Sequence, residues 1–229
     1  MKDRTRLYLI FIISLFIVVV EAYLISKGLN SGHTIKQVDD TARSAGYFSA
    51  FTVDCEAFMA LVSLVGVILC VRAFRRRENV LPAWFDVLYL VGTASLTLVF
   101  LVVACYLAPV KVAHGYSYFF LFRKGNFFNH FLNPWLAIIC FNFINNTREL
   151  PWQKAWFAPI PMILYAVVYM VNVAVLRVWP DLYGFSFGGH YGLFPLELVI
   201  IFAITFGLGF LHIKLHNAVC RKSRRQTAI

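Results

Sequence analysis

The stretch YFSAFTVDCEAFMALVSLVGVILCVR, residues 47–72, decides the fold class. Beyond Glu56 it runs from Ala57 to Val71 with no acidic, basic or histidine side chain, and it exceeds the ~20 helical residues that cross a ~30 Å hydrocarbon layer. Five further stretches read the same way: Leu7–Ser26, Trp84–Ala108, Asn126–Asn145, Trp156–Arg177 and Leu193–Lys214. Hydrophobic residues make up 60% of the 229-residue chain and charged ones 14%, with a mean hydropathy of +0.72. That is too little charge to solvate a soluble domain. These runs predict an all-α polytopic membrane protein, a bundle of six transmembrane helices forming one membrane domain over residues 1–229.

Charge sets the orientation. Of the 21 Lys and Arg residues, fourteen fall in the alternate segments that include both ends of the chain, and seven fall in the opposite connections. By the positive-inside rule both termini are cytoplasmic. The net charge of +10 then reads as a topology signal and an attraction to anionic lipid rather than a nucleic-acid site. Lys2, Arg4 and Arg6 ahead of the first run also suit a signal peptide, but its length and the lack of a small-residue cleavage site predict a retained helix.

Five cysteines form no CxxC pair, so no disulfide framework follows. No Walker, GxGxxG, HExxH or G-x-S-x-G pattern occurs, and neither a cofactor nor a metal site is expected. His212 and His216 have the i,i+4 spacing of a metal-binding pair but lack a third ligand, and read as interfacial polar residues. Asp86 reads as a first-turn carboxylate favoured by the helix dipole. The glycosylation pattern Asn145-Asn146-Thr147 falls on the cytoplasmic side, where it is not modified. Two longer outer connections, residues 27–46 and 109–125, have the length to cover a cavity mouth.

The few ionisable residues inside the runs gather toward the outer end. A charge at the centre of a spanning helix costs roughly 2.5 kcal/mol or more unless it faces protein or water. Thr52, Asp54 and Glu56 lie in the outer third of the second run, His130 and Asn133 near the outer end of the fourth, His190 and Glu197 near that of the sixth. Glu21 and Arg177 close the first and fifth runs at the same level. In α-helices Thr52 and Glu56 (i,i+4) and His130 and Asn133 (i,i+3) each share a face. Pro134 frees the carbonyl of His130, which must find another donor in lipid. A shared outward-facing polar cavity follows. Plainer roles stand beside it: Thr52 as a helix-cap or packing residue, Asp54 as a cap or as a partner of Arg43 or Arg177, Glu21 and Glu197 reaching interfacial water, His190 in a loop.

The run Tyr47-Phe48-Ser49-Ala50-Phe51-Thr52-Val53-Asp54, the segment Asn129-His130-Phe131-Leu132-Asn133-Pro134, and the aromatic exit Arg177-Val178-Trp179-Pro180-Asp181-Leu182-Tyr183 after Tyr165 and Tyr169 resemble the bacterial six-helix relatives of the androgen-induced membrane proteins. The likeness covers about residues 47–215. Some animal members of that family are threonine hydrolases acting on fatty acid esters of hydroxy fatty acids, so the resemblance implies Thr52 as nucleophile. It also places the family's catalytic histidine at Asn133, and asparagine cannot accept the nucleophile's proton. Either His130 serves as base, oriented by Glu56 or Glu197, or the scaffold persists without the reaction.

The expectation is thus a multi-pass protein of the bacterial plasma membrane with an outward-facing site. Thr52 and His130 would be catalytic, with Asp54, Glu56, Asn133, Glu197 and Arg177 supporting, and the reaction the hydrolysis of a fatty acyl ester. Membrane lipids and a lipid-like small molecule are the partners. The alternative is a transporter or lipid-binding structural protein in which Glu21, Glu56 and Glu197 hold a cation or proton.

Overall fold

Six helices are long and apolar enough to cross a membrane: α1 (Arg4–Asn30), α2 (Phe51–Arg76), α3 (Ala83–Ala113), α4 (Gly125–Ile144), α5 (Trp152–Val175) and α6 (Phe194–Arg225). The chain is an integral, multi-pass membrane protein whose six helices bring the start of α1 and the end of α6 together, Arg6 Nη2 donating to Ser223 Oγ at 2.7 Å. The computed structural model describes residues 3–30, 35–36, 44–145, 147–181, 183 and 191–227. In the first connection, Ile35–Lys36 and Ser44–Ala45 form a two-residue antiparallel pair.

α3 is the central post. Its apolar window is 67% buried, against 22% for α1 and for α6, and it packs against α2, α4, α5 and α6. Gly92 permits the close approach to α2, because a Cβ there would stand 2.6 Å from the sulfur of Met59. α1 lies mainly against α2. It buries Leu7, Ile10, Ser14, Ile17 and Glu21, an alternating three-and-four spacing that makes one seam, while Ile12, Val19 and Tyr23 face outward. Glu21 therefore occupies a core position of that seam.

Helix ends differ from the sequence expectation. α2 starts at Phe51 after one 3-10 turn, Tyr47–Ser49, and α6 continues to Arg225. Nor does Thr52 cap α2. The N-cap is Ala50, without a side-chain cap bond, and the backbone N–H of Phe51 donates to the Tyr183 hydroxyl at 3.0 Å. The Tyr165 hydroxyl donates to Ser49 O at 2.8 Å, so α5 and the segment after it pin the start of α2.

Two prolines reshape the helices that carry them. A π turn, Val103–Leu107, comes just before Pro109, and another, Phe128–Leu132, just before Pro134. Proline has no N–H and its ring crowds the carbonyl four residues back. A wider i→i+5 turn moves that carbonyl aside. In α4 this changes which side chains share a face, with consequences for His130.

Candidate functional site: a buried carboxylate pair

Glu21 of α1, Glu56 of α2 and Asn133 of α4 meet inside the bundle. Asn133 Nδ2 donates to Glu21 Oε1 at 2.6 Å and to Glu56 Oε2 at 3.1 Å. All three are sealed from solvent, Glu21 being 1% exposed and the other two 0%. Among the described residues neither carboxyl has a cationic partner. The amide thus spends both its hydrogens on two acids, while Glu56 Oε1 and Asn133 Oδ1 are buried without a hydrogen-bond partner. Among the described residues no group of three or more His, Cys, Asp or Glu is placed to hold a metal ion.

Tyr47 closes this end of the site. Its hydroxyl donates to Leu24 O at 3.4 Å and its ring lies over Gly28, where a Cβ would come within 2.3 Å of the ring. Burial first, then negative charge at the Glu21–Glu56 pair, pushes the Tyr47 phenol above its ordinary range.

The other expected site residues lie apart from this pair. His130 Nδ1 is 2.6 Å from Leu121 O, and the ring stands edge-on to Phe122. The i,i+3 argument that placed it beside Asn133 assumed α-helical turns, and the π turn before Pro134 breaks that register. Asn133 points to the carboxylates and His130 to the connection before α4. Thr52 and Asp54 are half-buried on the first turn of α2 and make no side-chain hydrogen bond among the described residues, so Thr52 and His130 are not in hydrogen-bond contact. Glu197 is half-buried on α6, its Oε2 unpartnered, away from the pair. Arg177 is exposed, with left-handed backbone (φ 55°) just past α5. His190 and Arg43 lie outside the described residues.

A second polar region follows the inner face of α3, and it joins Asp86, His212 and His216, which the sequence presents only singly or as an i,i+4 pair. Asp86, Tyr89, Thr93 and Thr97 recur at three- and four-residue spacing and are all buried. Thr97 Oγ1 donates to Thr93 O at 2.8 Å, so it accepts from His212 Nε2 at 3.0 Å. Asn142 Nδ2 donates to Ile138 O at 2.9 Å and to His212 Nδ1 at 3.0 Å. These bonds fix His212 as the Nε2–H tautomer. At the end that carries the termini, Asp86 accepts from Asn145 Nδ2 at 2.9 Å and pairs with Arg148 Nε at 3.0 Å. The Arg148 guanidinium also donates to Leu81 O. His216 faces two carbonyls, Phe141 O at 2.9 Å and Arg148 O at 2.8 Å. His212 and His216 are thus buried interhelical ties, not interfacial residues, and each ring has a polar atom within hydrogen-bond distance of both nitrogens.

Comparison with family models, curated proteins and solved structures finds no match to this chain.

Proposed function

We propose that this integral membrane protein binds and exchanges a proton between Glu21 and Glu56, as a proton-coupled or proton-conducting membrane protein does. One observation carries the reading: two carboxyls, fully buried in spanning helices, share a single neutral amide and receive no cation among the described residues. The two bonded oxygens share one nitrogen at 2.6 and 3.1 Å, so they lie under about 6 Å apart. Two unit charges at that separation repel by about 3 kcal/mol at an effective dielectric of ~20. Burying each charge inside a span adds roughly 2.5 kcal/mol or more. One proton shared by the pair removes the repulsion and one of the two buried charges.

Ester hydrolysis at Thr52, which the family resemblance implies, draws on different groups. It needs a base within hydrogen-bond reach of the threonine hydroxyl. The proton-binding reading needs no rearrangement of side chains.

Infrared difference spectroscopy of the chain in lipid nanodiscs tests the proposal. At neutral pH a protonated-carboxyl C=O band should be present, shift in heavy water, and disappear in the Glu21→Gln, Glu56→Gln double variant. Absence of the band in the wild type, or its survival in the double variant, would refute the assignment.

A further inference from the structure

The interior of the bundle holds two kinds of buried polar side chain. In the Thr97–His212–Asn142 tie the hydroxyl hydrogen, both amide hydrogens and both imidazole nitrogens are committed. Such a tie can hold helices together but has no spare hydrogen to pass on. Ser14, Ser63, Tyr89 and Thr93 are the opposite case, being 0% exposed with hydroxyl oxygens that have no hydrogen-bond partner among the described residues. An unmade bond at a buried polar group costs about 1–3 kcal/mol, so four together call for an explanation in water or function.

Their positions supply one. Ser14 lies seven residues from Glu21 on α1, and Ser63 seven from Glu56 on α2. Seven residues are two turns, about 10 Å along each helix, and they return to the same face. Ser14 Oγ reaches Gly66 of α2, where a Cβ would meet both it, at 3.2 Å, and the ring of Phe85. That depth is the first turn of α3, where Asp86 sits. Tyr89 and Thr93 fill the inner face of α3 above Asp86, and the Tyr89 hydroxyl lies close to Ser14 and Cys140, though none of these contacts has the distance and angles of a made hydrogen bond. The four hydroxyls thus occupy the interval between the carboxylate pair at one end and Asp86 at the other.

From this placement, and resting on the proton-binding reading above, we infer that the protein conducts protons across the membrane. The path runs from the Glu21–Asn133–Glu56 site past Thr93, which lies level with Met59, then Ser63, Tyr89 and Ser14 to Asp86. A hydroxyl both donates and accepts, so each can hold a bridging water and relay through it. The protonated carboxyl gives its proton to the first water and each bridge passes one proton on. The Asp86 carboxylate, held by Asn145 and Arg148, takes it and releases it to water at that end of the bundle, which returns Asp86 to its ionised form. A second proton entering past Tyr47 restores the pair. Nothing is oxidised and no other group transfers.

The full chain reconstituted in liposomes with an entrapped pH dye, under a potassium diffusion potential, tests this directly. Wild-type vesicles should acidify faster than empty ones. The triple variant Ser63→Ala, Tyr89→Phe, Thr93→Val removes three hydroxyls at nearly constant shape and should lower the flux at least tenfold while the carboxyl infrared band persists. Ser95→Ala, whose hydroxyl bonds Val91 O, should leave the flux unchanged. Should the triple variant fail to fold, Tyr89→Phe alone, which keeps its ring against Phe141, should at least halve the flux. Wild-type flux no greater than that of empty vesicles, or flux indifferent to these hydroxyls, overturns the path. If the band remains in that case, the carboxylate site stands without it; if the band too is missing, both fall.

Discussion

Replacing Asn133 by leucine, close to it in size, separates a functional carboxylate site from ordinary packing. The amide is 0% exposed and makes two bonds, at 2.6 and 3.1 Å, to two acids. With one acid protonated and the other ionised, the neutral bond contributes about 0.5–1.5 kcal/mol and the charged one about 1.5–3. Asn133→Leu should therefore destabilise the bundle by about 2–4 kcal/mol, read from unfolding in mixed micelles. The same change in a Glu21→Leu, Glu56→Leu background removes an amide that no longer has acceptors there, and should be neutral or stabilising. Groups in contact couple by about 0.5–3 kcal/mol in such cycles, and this one should lie at the upper end. Equal costs in the two backgrounds, or a cost below about 0.5 kcal/mol in the wild type, would show that the amide does not bind the carboxyls as described.

Three further outcomes follow from local geometry. Gly28→Ala places a methyl 2.3 Å from the Tyr47 ring; overpacking of this kind costs about 1–3 kcal/mol, and amide hydrogen exchange in the first turn of α2 should quicken, whereas unchanged exchange would mean Tyr47 does not close the site. Asn217 accepts from Leu150 N at 2.9 Å and donates to Leu150 O at 2.8 Å, so Asn217→Ala should cost about 1–3 kcal/mol and expose the α4–α5 connection to limited proteolysis, which a wild-type digestion pattern would contradict. Thr52→Ala should change stability by less than about 0.5 kcal/mol, since its hydroxyl bonds nothing among the described residues, and should leave labelling by a fluorophosphonate probe as in the wild type; labelling of the wild type that the change abolishes would instead establish the threonine hydrolase.

The spans were legible because lipid imposes a length and an apolarity that no other solvent does. Their ends were not, since interfacial residues such as Tyr47 and Lys214 suit either side of the boundary. Glu21, Glu56 and Asn133 stood out for the same reason as the spans: each is costly in oil, and each needed a partner. What misled was direction. Pro134 frees the His130 carbonyl in an α-helix, but a missing N–H can also be accommodated by a wider turn. That turn separates His130 from Asn133 although their numbers differ by only three. The α3 stripe was present as spacing, Asp86-Tyr89-Thr93-Thr97, yet one tyrosine and two threonines barely lower the hydropathy of a helix. The partners of His212 and His216 come from α3, α4 and the α4–α5 connection, contacts that no local pattern announces.

Between spanning helices lipid provides no hydrophobic drive, so packing and interhelical hydrogen bonds must specify the bundle. Here those bonds are unevenly placed. α3, α4 and α6 are tied by His212 and His216, whose ring nitrogens each have a polar atom within hydrogen-bond distance, and by the Asp86–Asn145–Arg148 cluster. The α1–α2 side contributes Glu21, Glu56, Ser14 and Ser63, which among the described residues bond to the rest through the Asn133 amide and are otherwise rich in unpartnered oxygens, while the ends of these helices are held by Arg6–Ser223, Tyr165–Ser49 and Tyr183–Phe51. A tie with every hydrogen committed resists rearrangement, whereas a site with spare lone pairs accepts a proton without breaking a bond it already has. The tied half of the bundle thus anchors α3 at its His212 and Asp86 contacts, and the α1–α2 side presents its carboxyls and hydroxyls to the unpartnered Tyr89 and Thr93 of that helix. Removing the ties at His212 should therefore loosen the fold, while removing the hydroxyls at Ser63 and Thr93 should leave it standing and silence only the proton.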